Sequence, residues 1–218
     1  MSTAKISNVV VVDYGMGNLR SVAKALEHVA PEGVSVRVSG CPNELAAADR
    51  IVFPGQGAAR DCMAELRQRG LHDALLDAAR SKPFLGICMG MQVLMTHSEE
   101  NDGTPCLDMF PGEVRFFGHD LHDATGERLK IPHMGWNRVQ QTRPHPIWEG
   151  IEDGERFYFV HSYHVMPTES NLTLATTEYG LSFVSAIARA NVAAVQFHPE
   201  KSAEAGLRLL ANFLHWMP

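Results

Sequence analysis

The 218-residue sequence predicts an α/β fold with a mostly parallel central sheet covered by helices and additional β strands in the C-terminal half. Three observations lead there. Apolar β-rich runs alternate with amphipathic stretches up to about His97; from Glu113 the runs become closely spaced and strand-like; and the chain closes on an amphipathic helix. One domain, spanning residues 1–218, is expected. The length suits a single hydrophobic core, and no Pro-, Gly- or Ser-rich linker interrupts it.

Taken in order, Val9–Tyr14 reads as a fully buried strand. Leu19–Val29 reads as a helix with Leu19, Val22, Leu26 and Val29 on one face and Asn18 as its N-cap. Val34–Val38 and Ile51–Phe53 are further strands, the second followed by the glycine-rich turn Pro54–Gly57 and by helical patterns over Ala58–Arg69 and Leu71–Arg80. Phe84–Ile87 is a fourth strand, running into Cys88 and a helix from Met89 to about His97. Such alternation calls for a parallel sheet with both faces covered. Beyond it, Glu113–Phe117, Asn137–Gln140, Phe157–Val160, Leu174–Thr177, Val184–Ala188 and Val192–Phe197 read as strands. Ala203–Trp216 reads as a helix whose apolar face carries Leu207, Leu210, Ala211 and Leu214.

Composition narrows the function. With 45% hydrophobic and 20% charged residues the chain is an ordinary globular protein, not a disordered, collagenous or coiled-coil one. The net charge of -6 supplies no basic field, so nucleic acid is not an expected partner. No apolar stretch reaches the ~18–20 residues of a membrane span, and Val9–Val12 is too short for a signal-peptide core of ~7–15. A cytoplasmic protein without membrane contact is expected. Cys41, Cys62, Cys88 and Cys106 form no Cys-x-x-Cys pair, so neither disulfides nor a zinc knuckle are foreseen, and the sequence calls for no metal and no cofactor.

The residues richest in chemical meaning are Gly86-Ile87-Cys88-Met89-Gly90. A strand that turns straight into a helix, with glycine two residues to either side of a nucleophile, is the pattern of a nucleophile elbow with sulfur in place of hydroxyl. The sharp turn leaves no room for flanking Cβ atoms. The sulfur is expected to be exposed, at the helix N-terminus, where unpaired N–H groups favour thiolate. A thiol needs a base, and the base needs orienting. His198-Pro199-Glu200 supplies both: proline biases His198 toward extended backbone, so that residues two apart project from one face. The glycine-rich Phe53–Gly57 turn adds free backbone N–H groups at the carboxyl edge of the sheet, where Gln56 or Gly57, with Met89, would form an oxyanion hole.

Together, Gly86–Gln92, Pro54–Gly57 and His198–Glu200 resemble the class I, triad-type glutamine amidotransferases. Asp13–Asn18, Pro132–Asn137 and Tyr158–Tyr163 further resemble the glutaminase-subunit family of imidazole glycerol phosphate synthase, and the similarity runs over about residues 9–202. The resemblance implies that Cys88 attacks the carboxamide of glutamine, that His198 moves the proton and that Glu200 orients it. It implies that Gly57, Gln92, Glu100, His161, Ser162 and Tyr163 line the glutamine pocket. It also implies a heterodimer with a (β/α)8-barrel cyclase that receives ammonia through an internal channel, with Asn18, Met134, Trp136 and Lys201 at the interface. Gln56, Met89 and Thr96-His97 depart from the family pattern.

Other readings are weaker. Gly15-Met16-Gly17 follows a strand, but Arg20 stands where a dinucleotide fingerprint needs its third glycine. His119-x-x-His122 and His161-x-x-His164 have ligand-like spacing on segments read as loop and strand, where such pairs do not face one way, and polar loop histidines are the better reading. A glutaminase serving anthranilate or guanylate synthesis is disfavoured by Pro132–Asn137. A silent scaffold is disfavoured by the intact Cys88, His198 and Glu200.

Overall fold

The computed structural model describes residues 8–218, so the first seven positions of the expected domain 1–218 lie outside the described residues. Strands β1 (Asn8–Val12), β2 (Ser35–Ser39), β3 (Arg50–Gly55) and β4 (Phe84–Cys88) alternate with helices α1 (Leu19–Val29), α2 (Pro42–Ala47), α3 (Ala59–Gln68) and α4 (His72–Ser81). After α5 (Met89–Gln92) come β5 (Met95–Ser98), β6 (Thr104–Pro105), β7 (Phe110–Phe116), β8 (His133–Arg138), β9 (Gln140–Gln141), β10 (Arg156–His161) and β11 (Tyr163–Pro167). The chain ends in β12 (Thr173–Glu178), β13 (Ser182–Arg189), β14 (Val192–Val195) and α6 (Ala203–His215).

Twelve strands form one sheet in the order β2-β1-β3-β4-β14-β13-β11-β7-β5-β6, with β12 and β9 attached beside β13. From β2 to β14 every neighbour is parallel, and the change to antiparallel pairing comes at β14–β13. Strands β8 and β10 form a separate antiparallel ribbon. The period-two alternation of a strand sorts β1 between two cores: Val10 and Val12 pack with Leu45, Cys62 and Leu75, whereas Val9 and Val11 pack with Val22, Leu26 and Phe213. Helices α2–α5 thus cover one face, and α1 and α6 the other. Among the described residues no helix is long and apolar enough to cross a membrane.

Several expectations need correction. The helix expected from Met89 to His97 stops at Gln92, because the carbonyls of Val93, Leu94, Met95 and Thr96 accept from the amides of Leu107, Met109, Asp108 and Cys106 instead of continuing a helical ladder. Pairing with a distant stretch won over helical periodicity. Helix α6 buries Gly206, Leu209, Leu210, Phe213 and Leu214, and leaves Leu207 and Ala211 only half-buried, a rotation of its face from the one expected. Asn18 stands at the start of α1, but its side chain makes no capping bond. Helix α2 and strands β6 and β11 had no clear signal in the sequence.

Candidate active site

Cys88 ends β4 with φ 55° and ψ -110°, a conformation that a side chain rarely adopts and that costs on the order of 1–3 kcal/mol. The flanking glycines make the turn possible. A Cβ on Gly86 would stand 2.8 Å from the Gly90 carbonyl oxygen, and one on Gly90 would collide with the carbonyl of Phe53 on the neighbouring strand. The expectation of an exposed sulfur is corrected: Cys88 is only 7% exposed, on the floor of a cavity of about 580 Å³. The single turn of α5 is also too short for a full macrodipole, so sulfur chemistry here depends on side-chain partners.

Those partners come from β14. Because β14 pairs in parallel with β4, with Val195 opposite Ile87, the residues leaving both strands meet at one edge of the sheet. His198 has an extended backbone, but Glu200 lies in a 3-10 turn, Pro199–Lys201. That turn, and not the continuous extended chain expected, brings His198 Nδ1 within 2.9 Å of Glu200 Oε1. The turn is anchored to the ribbon. His198 N donates to the Tyr158 carbonyl at 2.9 Å, Tyr158 N donates to Ser202 Oγ at 3.0 Å, and Ser202 Oγ donates back to the His198 carbonyl at 2.6 Å.

His198 is 6% exposed. Burial pushes its pKa down, but the Cys88 sulfur and the Glu200 carboxylate more than offset burial and push it up to about 10. Its Nε2 is buried without an acceptor in full hydrogen-bonding geometry among the described residues, yet the nearby Cys88 sulfur favours its charged form. Loose geometry of this kind is compatible with a general base.

The other expected residues are placed as follows. Gln56, Gly57, Met89, Gln92, Glu100, His161, Ser162, Tyr163 and Lys201 all line the same cavity as Cys88 and His198, and so does Met16, which was not expected there. Gln56 is exposed, and Gly57 has φ +88°. One oxygen of Glu100 accepts from Ala59 N at 2.7 Å, at the start of α3. Gln92 is 3% exposed, and its amide nitrogen donates to Tyr163 O at 3.1 Å and to Gln196 Oε1 at 3.0 Å. Met134 and Trp136 stand out on β8, 64% and 45% exposed. Lys201 Nζ lies 5.7 Å from the Tyr158 ring centroid beside them, and Asn18 is half-buried.

His161 and His164 correct the reading of loop histidines, since both are buried in strands. Both ring nitrogens of His161 are engaged, Nδ1 with Tyr163 O at 2.8 Å and Nε2 with His133 Nδ1 at 3.0 Å, so its ring faces the interior. His119 and His122 are exposed, and the described residues contain no cluster able to hold a metal ion. Sequence reasoning missed Gln196, which is fully buried with Nε2 3.7 Å from Cys88 Sγ. Its position two residues before His198, on the same side of an extended segment, was the available signal.

Comparison with known proteins identifies the family. The model of the family "Glutamine amidotransferase class-I" matches residues 10–217. The imidazole glycerol phosphate synthase subunit HisH of Thiobacillus denitrificans is 61% identical, over 97% of this chain and 92% of its own. That of Aromatoleum aromaticum is 60% identical, over 98% of this chain and 100% of its own. Among solved structures, a putative GMP synthase protein of Thermoplasma acidophilum superposes with a TM-score of 0.70 at 18% identity, over 98% of this chain and 94% of that one, which speaks for the fold alone. An elbow cysteine beside a histidine–glutamate pair, and relatives matched along nearly their whole length, lead to one assignment: the chain belongs to the class-I glutamine amidotransferases, on their HisH branch.

Proposed function

We propose that this chain hydrolyses glutamine to glutamate and ammonia through a thioester on Cys88 and passes the ammonia to a cyclase partner. The observation that carries the reading is the sulfur and the imidazole on the floor of one cavity, with the Glu200 carboxylate buried behind the imidazole, 2.9 Å from its Nδ1. Cys88 Sγ attacks the carboxamide carbon, and the carbonyl oxygen gains charge opposite the amides of Met89 and of Gln56 or Gly57. His198 gives its proton to the departing nitrogen as the C–N bond breaks. It then takes a proton from water, which attacks the thioester carbon; the C–S bond breaks, glutamate leaves and the Cys88 thiolate is restored beside the protonated imidazole. Glu200 fixes the tautomer of His198 and stabilises its cation. The second oxygen of Glu100 suits the substrate ammonium, Gly57, Ser162 and Tyr163 line the cavity around the substrate, and Gln92, its NH2 engaged by Tyr163 O and Gln196 Oε1, supports the wall.

The relatives are named as subunits of imidazole glycerol phosphate synthase, which supports a partner subunit. The partner we propose is a (β/α)8-barrel cyclase that uses the ammonia to make imidazole glycerol phosphate and AICAR from PRFAR in histidine biosynthesis, in the cytoplasm. Met134 and Trp136, exposed and apolar, stand with Lys201 near the cavity and suit the docking face. Ammonia would be largely protonated in neutral water, so a covered path preserves its nucleophilicity.

Cys88→Ala is expected to abolish glutamine hydrolysis while preserving the circular dichroism spectrum and partner binding; turnover at the wild-type rate would overturn the reading. The chain by itself is expected to be a poor glutaminase that its cyclase stimulates when the cyclase ligand is bound. Equal rates with and without the cyclase would remove the proposed coupling.

A further inference from the structure

The side chain of Gln196 takes no part in the steps above. Gln196 Nε2 lies 3.7 Å from Cys88 Sγ, its Oε1 accepts from Gln92 Nε2 at 3.0 Å, and Gln92 Nε2 also donates to the Tyr163 carbonyl at 3.1 Å. Gln196 is fully buried and Gln92 nearly so. The orientation of both amides follows from the end of this hydrogen-bonded series. A backbone carbonyl accepts and never donates, so the Gln92 group facing Tyr163 O is its NH2. That NH2 has one hydrogen left, which requires an acceptor, so the Gln196 oxygen faces Gln92. The Gln196 NH2 therefore faces the sulfur. Turning Gln196 alone would oppose two NH2 groups, and turning both would oppose two oxygens at Tyr163. His161 Nδ1, 2.8 Å from the same carbonyl, donates to its second lone pair and leaves the polarity unchanged.

The backbone holds this donor in place. Val195 is paired with Ile87, so Gln196 and Cys88 are the next residues out on adjacent strands, and Gln196 N is bound to Ser185 O at 2.9 Å.

We propose that Gln196 is a further catalytic residue, whose side-chain amide donates to Cys88 Sγ, fixing the sulfur for attack and stabilising its anionic form. The inference rests on Cys88 being the nucleophile. A hydrogen bond donated to the charged form favours that form. His198 hands its proton to the leaving nitrogen during the reaction, whereas an amide N–H stays in place. Gln196 therefore serves the sulfur whenever it carries charge, both before attack and as the thioester collapses.

The test measures Cys88 alkylation by iodoacetamide against pH, resolved to its peptide by mass spectrometry so that the other three cysteines do not interfere, together with glutaminase kinetics. In Gln196→Met the alkylation midpoint is expected to rise by about half to one pH unit, and kcat to fall about three- to tenfold with KM within about twofold, the scale of one lost hydrogen bond. An unchanged midpoint and kcat in folded Gln196→Met overturn the inference while Cys88→Ala remains inactive; retained turnover in Cys88→Ala overturns the nucleophile assignment along with it. Should the Met variant fail to fold, the Gln196 side-chain amide resonances of the unsubstituted protein decide. They are expected to move as Cys88 titrates, and a resonance that stays still overturns the proposal.

Discussion

His133, His161 and His198 are all buried within a few residues of the same cavity, yet the surroundings of the ribbon pair and of the sheet-edge histidine push their pKa values in opposite directions. Burial pushes His133 down to about 4 and His161 down to about 3. The two form a neutral series: His161 Nδ1 donates to Tyr163 O, His133 Nδ1 to His161 Nε2, and Asn137 Nδ2 to His133 Nε2 at 3.2 Å. The ring of His133 lies between those of Phe159 and Tyr179, with centroids 4.9 Å and 3.9 Å away. His198 is as buried, but its neighbours are a carboxylate and a sulfur, and its pKa goes up. Burial alone thus makes a structural histidine, and the same burial with an anion at Nδ1 makes a proton carrier.

Substitutions that remove this difference at its source give the largest effects. His198→Ala is expected to lower kcat by about 10³-fold or more, the upper part of the range for general acid–base catalysis. Glu200→Gln keeps the shape but leaves His198 with a neutral partner, and should lower kcat by about 10–100-fold while moving the His198 titration toward that of the ribbon pair. Equal losses in the two variants would break the division of roles, and an unmoved titration would break the comparison itself.

Stability against pH gives the smaller effect, with two limbs of opposite sign. For His133 and His161 the folded pKa lies below the ordinary value near 6.5, so the unfolded chain takes up protons first as pH falls. Their contribution is intact above about 6.5 and erodes toward 4 and 3, by about 2–3 kcal/mol per histidine at pH 4.5 on an order-of-magnitude basis. His198 behaves in reverse: its contribution is complete below about 6.5 and is lost as pH rises toward about 10. Urea unfolding across pH is expected to show a shallower acid limb in His161→Phe and a shallower alkaline limb in Glu200→Gln. An unaltered acid limb in His161→Phe would mean that the ribbon histidines titrate normally.

What could be read in the sequence divides along physical lines. The elbow was legible because its requirements are local: two glycines, a strand before the cysteine and a turn after it. The parallel half was legible because β–α alternation is a short-period signal, and Leu19–Val29 is found where its periodicity put it. The short α5 was not legible, since the stretch after it pairs its carbonyls with amides of residues 106–110, a partner that the local periodicity does not show. The burial of Cys88 and the seating of His161 were hidden for the same reason: each is fixed by a partner strand far away in sequence. Gln196 shows both sides, standing in plain view beside His198 while its role depends on Gln92 and Tyr163, 104 and 71 residues apart along the links of its chain.

The pairing of Val195 with Ile87 carries a last consequence. The spacing between sulfur and imidazole is gauged by rungs of the backbone ladder, so inserted or deleted residues in the loops between β4 and β14 need not alter it. A single residue removed within β14 is another matter, because it would turn every later side chain of that strand to the opposite face. The reaction centre is therefore tolerant of length in what it encloses and intolerant of slippage in the two strands that measure it.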